Sequence, residues 1–183
     1  MIYQISSSRD SLLFKITKIT IIILGITLIA LYGSYFCGFR FNISSSMPIG
    51  IYKIQPSSDF KKGDLVAVCL PKNLAKYGFD RGYISKGSCS SGYAPLIKEV
   101  IATPNDYVVM NQAGITVNKV FYDFKQQQFD SQNRSLTPQN IDQKIAGFLL
   151  IGNNSKNSWD SRYFGVIKPQ YLQGIMQKIW VYQ

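Results

Sequence analysis

The sequence of 183 residues contains no histidine. This absence excludes a Ser-His-Asp triad, a Cys-His dyad and any histidine-ligated metal site. If the chain is a hydrolase, its general base must be a lysine, a carboxylate or a tyrosine. Cysteine is also scarce, with three residues and no C-x-x-C pair, which argues against a structural zinc site. We therefore expect neither a metal nor a cofactor.

Acidic residues are half as numerous as basic ones, 10 against 20, so the formal net charge is +10. A charge of this size can indicate nucleic-acid binding, but the lysines are scattered and no helix-turn-helix or zinc-finger pattern is present. A basic domain held beside anionic lipid explains the same charge. We therefore expect membrane lipid, and not nucleic acid, as a partner.

One long segment lacks charge altogether, the run from Ile19 to Phe39 between Lys18 and Arg40. Its length is close to the roughly 20 residues that cross a bilayer. Basic residues are more frequent before the run than directly after it, so the positive-inside rule keeps the N-terminus in the cytoplasm. The sequence predicts a single-pass membrane protein. Its predicted parts are a cytoplasmic N-terminus (1–18), a transmembrane signal anchor (19–39) and an exported domain (40–183).

Two other interpretations of the apolar segment agree less well with the sequence. A cleaved signal peptide needs a shorter apolar run followed by an Ala-x-Ala-like site, and neither is evident. A lipoprotein site at Cys37 needs a small residue before the cysteine, where this chain has Phe36. The sequence therefore favours an uncleaved anchor.

Beyond residue 40, helical periodicity is scarce and short runs of β-forming residues recur between Gly, Pro and Asn turns. Many short strands with few helices predict a mainly β exported domain, an antiparallel barrel or sandwich. The predicted strands are Gly50–Ile54, Asp64–Leu70, Leu96–Ala102, Tyr107–Met110, Ile115–Val117, Phe148–Ile151 and Ile175–Tyr182.

Two insertions interrupt this rhythm, residues 71–94 and Asp123–Lys144. Cys69 and Cys89 lie at either end of the first insertion, and in an exported domain such a pair indicates a disulfide. Two free buried thiols are the alternative, and Cys37 is expected to be unpaired. The second insertion is rich in Gln and Asn and is predicted to be a polar surface excursion.

A serine-rich stretch begins shortly after the apolar run and reads Ser44-Ser45-Ser46-Met47-Pro48-Ile49-Gly50-Ile51-Tyr52. It resembles the nucleophile box of the membrane-bound type I signal peptidases, peptidase family S26. Its Ser-x-Pro-x-Gly spacing is most similar to the conjugative-transfer (TraF-type) branch. The chain from Phe39 to Ser46 spans at most about 25 Å, so a nucleophile at Ser46 would stay near the outer face of the membrane.

Lys98 lies in the predicted strand Leu96–Ala102, on the face that alternation also gives to Val100 and Ala102. Burial lowers the pKa of a lysine, and the neutral amine can then accept a proton from a serine hydroxyl. A lysine at a strand edge that extends to water is the alternative. Glu99 stands where many members of the family have a basic residue.

The turn after this strand, Pro104-Asn105-Asp106, resembles the Pro-Gly-Asp turn that follows the family's lysine. Asn tolerates the positive φ that such a turn asks of Gly, so the difference is small. Gly63-Asp64-Leu65-Val66 likewise resembles the start of a family strand.

A third stretch is the most specific, and it reads Gly152-Asn153-Asn154-Ser155-Lys156-Asn157-Ser158-Trp159-Asp160-Ser161-Arg162-Tyr163-Phe164-Gly165. It is similar to the family's Gly-Asp-Asn…Ser-x-Asp-Ser-Arg-Tyr-x-Gly box, with Asn153 in place of the usual Asp. The three stretches occur in the family's order, and together the resemblance covers most of residues 40–183.

The resemblance implies a serine endopeptidase with a Ser/Lys catalytic dyad, in which Ser46 is the nucleophile and Lys98 the general base. Further residues carried over from the family are Ser44 with the Ser46 backbone N–H for the oxyanion hole, Ser158 for orienting the lysine, and Asp160 and Arg162 for holding the site together. Activity is expected to rise with pH as the lysine loses its proton.

The resemblance also implies the substrate, an exported precursor with small residues such as Ala-x-Ala before the scissile bond. The conjugative branch matures pilin precursors and in some systems closes the pilin into a ring. Components of conjugation or type IV secretion are expected partners, and the acceptor, water or an amine, stays open. The alternatives are a general type I signal peptidase and a non-catalytic membrane-anchored β module of a pilus or secretion assembly. A self-cleaving repressor would carry a DNA-binding domain instead of an anchor. A Ser46 Oγ–Lys98 Nζ distance near hydrogen-bond range would favour the enzyme over the module.

Overall fold

A computed structural model describes the backbone of residues 2–182 and the side chains of residues 12–182. Arg9, one of the basic residues behind the predicted orientation, lies outside the described side chains. The chain consists of two compact units, one ending at Phe39 and the other beginning at Arg40.

The first unit is a single long helix, α1, Ile2–Phe36. Its segment Leu12–Phe36 is long and apolar enough to cross a membrane, with a mean hydropathy of 2.2. Threonine hydroxyls within this segment donate to the carbonyl oxygen four residues earlier, as Thr20 does to Ile16 at 2.9 Å. Because their hydroxyls are satisfied within the helix, these threonines are compatible with an apolar surrounding.

Helix α1 ends at Phe36, three residues before the predicted end of the anchor. Gly38 has φ +87°, and its N–H donates to the carbonyl oxygen of Tyr35 at 3.1 Å. A glycine in this conformation is a common helix terminator, since it carries no Cβ that would clash. Cys37, directly before it, is a free and exposed thiol.

The second unit is mainly β, which confirms the predicted class. Its described part contains ten strands, two short α-helices and a 3₁₀ helix at Pro169–Tyr171. The strands are β1 (Phe39–Asn42), β2 (Ile49–Gln55), β3 (Leu65–Val68), β4 (Leu96–Ala102), β5 (Tyr107–Asn111), β6 (Gly114–Val117), β7 (Val120–Tyr122), β8 (Ile141–Lys144), β9 (Leu149–Ile151) and β10 (Leu172–Tyr182), and the helices are α2 (Lys72–Asp80) and α3 (Ser161–Phe164).

The strands form two sheets. One has six strands in the order β1-β2-β10-β3-β4-β9, and the other has four in the order β7-β6-β5-β8. Every strand pair whose register is described is antiparallel. One apolar cluster packs around Val66, Val100 and Trp159, and a second around Ile101, Val108 and Leu149. Strand β4 contributes to both clusters, with Val100 in the first and Ile101 and Ala102 in the second.

The predicted strand Leu96–Ala102 has the same bounds as β4, but the prediction that Ala102 shares a face with Val100 is wrong. The pairing of β4 with β9 shifts register between Val100 and Ala102. The irregularity breaks the two-residue alternation. Ala102 therefore belongs to the second cluster with its neighbour Ile101, and not to the cluster that contains Val100.

Besides the short 3₁₀ helix, five elements are present that the sequence did not predict, namely β1, β7, β8 and the helices α2 and α3. Helix α2 lies in the first insertion and buries only Ala75 and Gly78. At Gly78 a Cβ would lie 2.4 Å from the ring of Trp159, so the helix rests directly on that ring. The first insertion comprises residues 71–94, and the second insertion comprises Asp123–Lys144.

The first insertion is closed by a disulfide between Cys69 and Cys89, whose Cα atoms are 5.6 Å apart. The second insertion begins just after β7 and includes β8, and Gln126 within it is buried. It also packs against the family's third stretch, because the N–H of Gln127 donates to the hydroxyl of Tyr163 at 2.9 Å. It is thus more than a polar excursion at the surface.

Candidate active site

The loop that carries Ser46 joins β1 to β2 and is fixed by its own polar groups. The side-chain amide of Asn42 lies 2.9 Å from the carbonyl oxygen of Pro48, and 3.0 and 3.1 Å from two other carbonyl oxygens of the loop. The hydroxyl of the fully buried Tyr52 donates to Pro48 as well, at 2.6 Å. Carbonyl groups held in this way leave little freedom to the peptide units around Ser46.

Gly50, within the same serine-rich stretch, lets β2 approach β10 closely. A Cβ on residue 50 would lie 2.2 Å from the carbonyl oxygen of Trp180. No larger residue fits without moving one of the strands. The glycine of this stretch therefore sets the position of the strand that follows the serine.

A second connection to the Ser46 loop comes from the far end of the chain. The side-chain amide of Asn154 donates to the carbonyl oxygen of Ser45 at 3.0 Å. The backbone N–H of Asn154 donates to the carbonyl oxygen of Ser46 at 3.2 Å. The loop that begins at Gly152 is thus tied to the residues on which a nucleophile at position 46 depends.

Lys98 is buried in β4, with 1% of its surface exposed, and does not extend to water. Its Nζ donates to Oγ of Ser158 at 2.8 Å, and Ser158 is itself 2% exposed. Burial lowers the pKa of Lys98 from 10.5 to about 8, the charge of Asp160 opposes this, and that of Arg162 adds to it. A substantial fraction of this amine is therefore neutral near pH 8.

Gly152 leaves the space that the amine and hydroxyl occupy. A Cβ on residue 152 would lie 2.1 Å from Oγ of Ser158 and 2.9 Å from Nζ of Lys98. The first glycine of the third stretch is therefore required by the Lys98–Ser158 contact.

Asp160 and Arg162 form a buried two-pronged ion pair, with bonds of 2.8 Å from Nε and 2.7 Å from Nη2. The free lone pairs of the carboxylate accept the backbone N–H groups of Gly152 and Arg162, at 3.0 and 3.1 Å. Arg162 also donates to the carbonyl oxygen of Ser158 at 3.3 Å. Burial acts to lower the pKa of Arg162, but the bond to Asp160 outweighs it and raises that pKa. The pair thus supports both ends of the loop that places Ser158.

Two of the differences from the family pattern lie in contact with each other. The side-chain amide of Asn153 donates to the carboxylate of Glu99 on β4. Burial raises the pKa of Glu99, and the nearby Lys178 acts in the opposite direction. The side chains at positions 99 and 153 are therefore bonded to each other. Asn105, the third difference, has φ +74°, which confirms the prediction that it takes the conformation expected of a glycine.

Ser46 and Lys98 line one cleft of about 330 Å³, together with Ser44 and Ser158. Oγ of Ser46 lies 3.1 Å from Oγ of Ser44, and the backbone N–H of Ser46 donates to Oγ of Ser44 at 3.4 Å. The hydrogen bonds found across residues 12–182 include none between Ser46 and Lys98, so the structure does not show the contact that was expected to favour the enzyme over the module. The structure thus places the two groups in a common cleft with separate partners, a pattern common in enzymes without substrate.

Sequence reasoning assigned no role to Asn42, Tyr52, Asn154 or Tyr83. Tyr52 and Asn154 stand inside the quoted family stretches, and Asn42 precedes the serines by two residues, a spacing typical of an Asx turn. Tyr83 lines the cleft from the first insertion, and no pattern in the sequence marks it.

Comparisons with known proteins agree with this arrangement. The family model "Signal peptidase, peptidase S26" matches residues 13–181. The conjugal transfer protein TraF of Agrobacterium fabrum (strain C58 / ATCC 33970) is 30% identical over 170 residues, which are 88% of this chain and 91% of the relative. A probable conjugal transfer protein TraF of Sinorhizobium fredii is 32% identical over 157 residues, covering 81% and 80%. A plasmid transfer protein TraF of Escherichia coli is 30% identical over 152 residues, covering 80% and 85%.

Peptidases of this family are serine hydrolases that act on preproteins, and the apolar N-terminal helix fits the membrane anchor of such an enzyme. The chain therefore belongs to the signal peptidase family, peptidase S26, as a TraF-type member.

Proposed function

We propose that this protein is a membrane-anchored serine endopeptidase in which Ser46 is the nucleophile and Lys98 the general base. One observation carries the proposal: a fully buried lysine, with its pKa lowered to about 8, lines the same cleft as Ser46. A base of this pKa is partly neutral at physiological pH and can accept the proton of a serine hydroxyl. A non-catalytic β module has no need of such a lysine.

In the first step, the Ser46 hydroxyl turns from Ser44 toward Lys98 and gives its proton to Nζ while Oγ attacks the scissile carbonyl carbon. The tetrahedral oxyanion accepts hydrogen bonds from the Ser46 backbone N–H and the Ser44 hydroxyl. Substrate binding breaks the hydrogen bond that joins these two groups in the structure. One donor of this kind contributes about 2.7–4 kcal/mol in a measured enzyme. The Ser158 hydroxyl accepts a hydrogen bond from Nζ throughout and keeps the amine in place.

The leaving amine then takes the proton from Nζ of Lys98, and the peptide bond breaks to leave an acyl ester on Oγ of Ser46. A second acceptor, water or an amine, gives a proton to the neutral Lys98 and attacks the ester. Oγ of Ser46 recovers its proton as the product leaves. Asp160 and Arg162 act through the loop that places Ser158 and take no part in the proton transfers.

The proposed substrate is the precursor of a conjugative pilin, cleaved after a small residue on the outer side of the inner membrane. The names of the relatives, conjugal and plasmid transfer proteins, support conjugation over general protein export. The proposed topology places the N-terminus in the cytoplasm and residues 40–183 on the periplasmic side, where other components of the transfer apparatus would be encountered.

The test is co-expression of the full-length protein with a candidate pilin precursor, followed by intact-mass analysis of the pilin. Wild type should give a shortened pilin, and Ser46→Ala should leave the precursor whole although it remains folded and in the membrane. The product mass separates hydrolysis from ring closure, because a cyclic pilin is one water lighter than the linear form. Processing that persists in Ser46→Ala would refute the proposal.

A further inference from the structure

The two insertions meet beside the cleft through four polar side chains, which we call the clasp: Arg81 and Tyr83 from the first insertion, and Asp130 and Arg134 from the second. The Tyr83 hydroxyl donates to the Asp130 carboxylate at 2.6 Å, and Nε of Arg134 donates to the same carboxylate at 2.7 Å. Each arginine also donates to a backbone carbonyl oxygen of the opposite insertion. The Asp130 side chain is 5% exposed, so the carboxylate that accepts these charge-assisted bonds is shielded from water, whereas the Arg134 side chain is 34% exposed.

Both halves of the clasp are anchored independently of each other. The disulfide holds the ends of the first insertion together, and helix α2 within it rests on the ring of Trp159. The second insertion is fixed to α3, because Arg162 donates to the carbonyl oxygen of Lys125 at 2.8 Å. The Tyr83–Asp130 bond thus joins two supported segments, and it limits the movement of the Tyr83 ring.

The ring of Tyr83 forms part of the wall of the cleft that contains Ser46 and Lys98. Its centroid lies 5.4 Å from that of Trp159, which lines the cleft as well. A smaller hollow of about 50 Å³, lined also by Leu136, shares both rings with the cleft. Tyr83 and Trp159 therefore lie where the cleft adjoins an additional, partly apolar space, together with Ser131, Asn157 and Ser158.

We propose that the clasp restricts the cleft to small substrate side chains by holding Tyr83 as a fixed partition. This inference rests on the proposed function and assigns the choice of substrate residue to the two insertions. A larger side chain has to displace a ring whose hydroxyl is bonded to a shielded carboxylate, and loss of such a bond is unfavourable. Tyr83 is the specificity-determining residue, and Asp130 is the residue that positions it.

The test uses the full-length protein in detergent and internally quenched peptides that contain Ala-x-Ala before the scissile bond. Each residue before that bond is replaced in turn by Val or Leu. Tyr83→Ala should raise kcat/KM for the larger residue relative to alanine by about tenfold or more at one position, since the hollow then joins the cleft. Asp130→Asn keeps the Tyr83 ring but weakens the hydrogen bond that holds its hydroxyl. This variant should shift the kcat/KM ratio in the same direction, but by less.

Tyr77→Ala is the matched control. The Tyr77 ring also packs on Trp159, with centroids 6.0 Å apart, and lies 4.9 Å from the guanidinium of Arg81, but it lines a different hollow together with Leu74 and not the cleft. Its removal should leave the selectivity ratio unchanged. A shift in Tyr77→Ala equal to that in Tyr83→Ala would overturn the partition, because any loosening of Trp159 would then suffice.

The outcomes separate this inference from the proposed function. Unchanged ratios in Tyr83→Ala and Asp130→Asn, with the alanine peptide still cleaved, would overturn the clasp and leave the peptidase standing. A wild type that cleaves neither the peptides nor the precursor would overturn both. If a lowered thermal midpoint shows that Tyr83→Ala is misfolded, Tyr83→Phe decides the question, because it loses only the hydroxyl and should still shift the ratio.

Discussion

The Nζ atom of Lys98 lies 2.8 Å from Oγ of Ser158, and both residues are almost completely buried. The hydroxyl has one proton and two lone pairs, so it can accept from either form of the amine and fixes its position in both. Burial favours the neutral amine, while the Asp160 carboxylate acts in the opposite direction. The site thus keeps a lysine near its point of titration, at a cost to the stability of the folded chain.

That cost gives the first prediction, on Lys98→Met. One pKa unit corresponds to about 1.4 kcal/mol, so lowering the pKa from 10.5 to about 8 destabilises the folded state by about 3 kcal/mol near neutral pH. Methionine has a similar length and no charge, so the variant should be inactive and have a higher thermal midpoint. The measurement is thermal unfolding of the full chain in detergent, followed by tryptophan fluorescence.

The same linkage fixes the sign of the pH dependence. Between pH 8 and 10.5 the unfolded chain binds a proton at Lys98 that the folded chain does not, so stability should rise with pH across this window. Lys98→Met should lack the part of this rise in stability that comes from Lys98. A midpoint for Lys98→Met below that of wild type at pH 7 would count against a strained, desolvated lysine.

Gly152→Ala should abolish most of the activity. The added Cβ would lie 2.1 Å from Oγ of Ser158, so the hydroxyl or the amine has to move. Overpacking of this kind also destabilises a fold by about 1–3 kcal/mol. Gly25→Ala is the control, because nothing lies within 4 Å of its Cβ position. A Gly152→Ala enzyme with unchanged kcat would show that the Lys98–Ser158 contact is not needed for cleavage.

Asn154→Ala should lower kcat by about tenfold to a hundredfold with little change in KM, because small misplacements of a reacting group have effects of this size. The side chain is exposed and ties Ser45, the neighbour of the nucleophile, to the loop that carries Ser158. Asn153→Ala is the comparison, since its amide bonds to Glu99 and not to the serine loop. Steady-state kinetics on one peptide separate the two, and an equal fall in both variants would contradict a specific tether at Asn154.

The sequence predicted those helices and strands whose pattern lies within one short segment. An uncharged run of Ile and Leu predicts the apolar helix, and β4 has its predicted bounds because Leu96–Ala102 is rich in strand-forming residues on both sides of Lys98 and Glu99. Strand β8 was missed because Ile141–Lys144 contains one apolar residue and is held by pairing with β5. Helix α2 was missed because it is only nine residues long and its buried residues, Ala75 and Gly78, are small.

The contacts that complete the site are long-range, and a single sequence does not reveal them. Asn154 bonds to a residue 109 positions away, and Glu99 to one 54 positions away. Both insertions were recognised as insertions, but their meeting at Tyr83 and Asp130 depends on where the two sheets place them. The family stretches predicted which residues face the cleft, whereas the partition beside them is visible only in three dimensions.

The pH dependence of cleavage tests the central claim most directly. If neutral Lys98 is the base, kcat/KM of the full-length enzyme should rise about tenfold per pH unit below pH 8 and level off above it, since the amine has a pKa of about 8. Lys98→Arg should show no activity at any pH in this range, because a guanidinium stays protonated. A rate that is flat from pH 6 to 9, or a Lys98→Arg variant with the wild-type profile, would contradict the role of Lys98 as the general base.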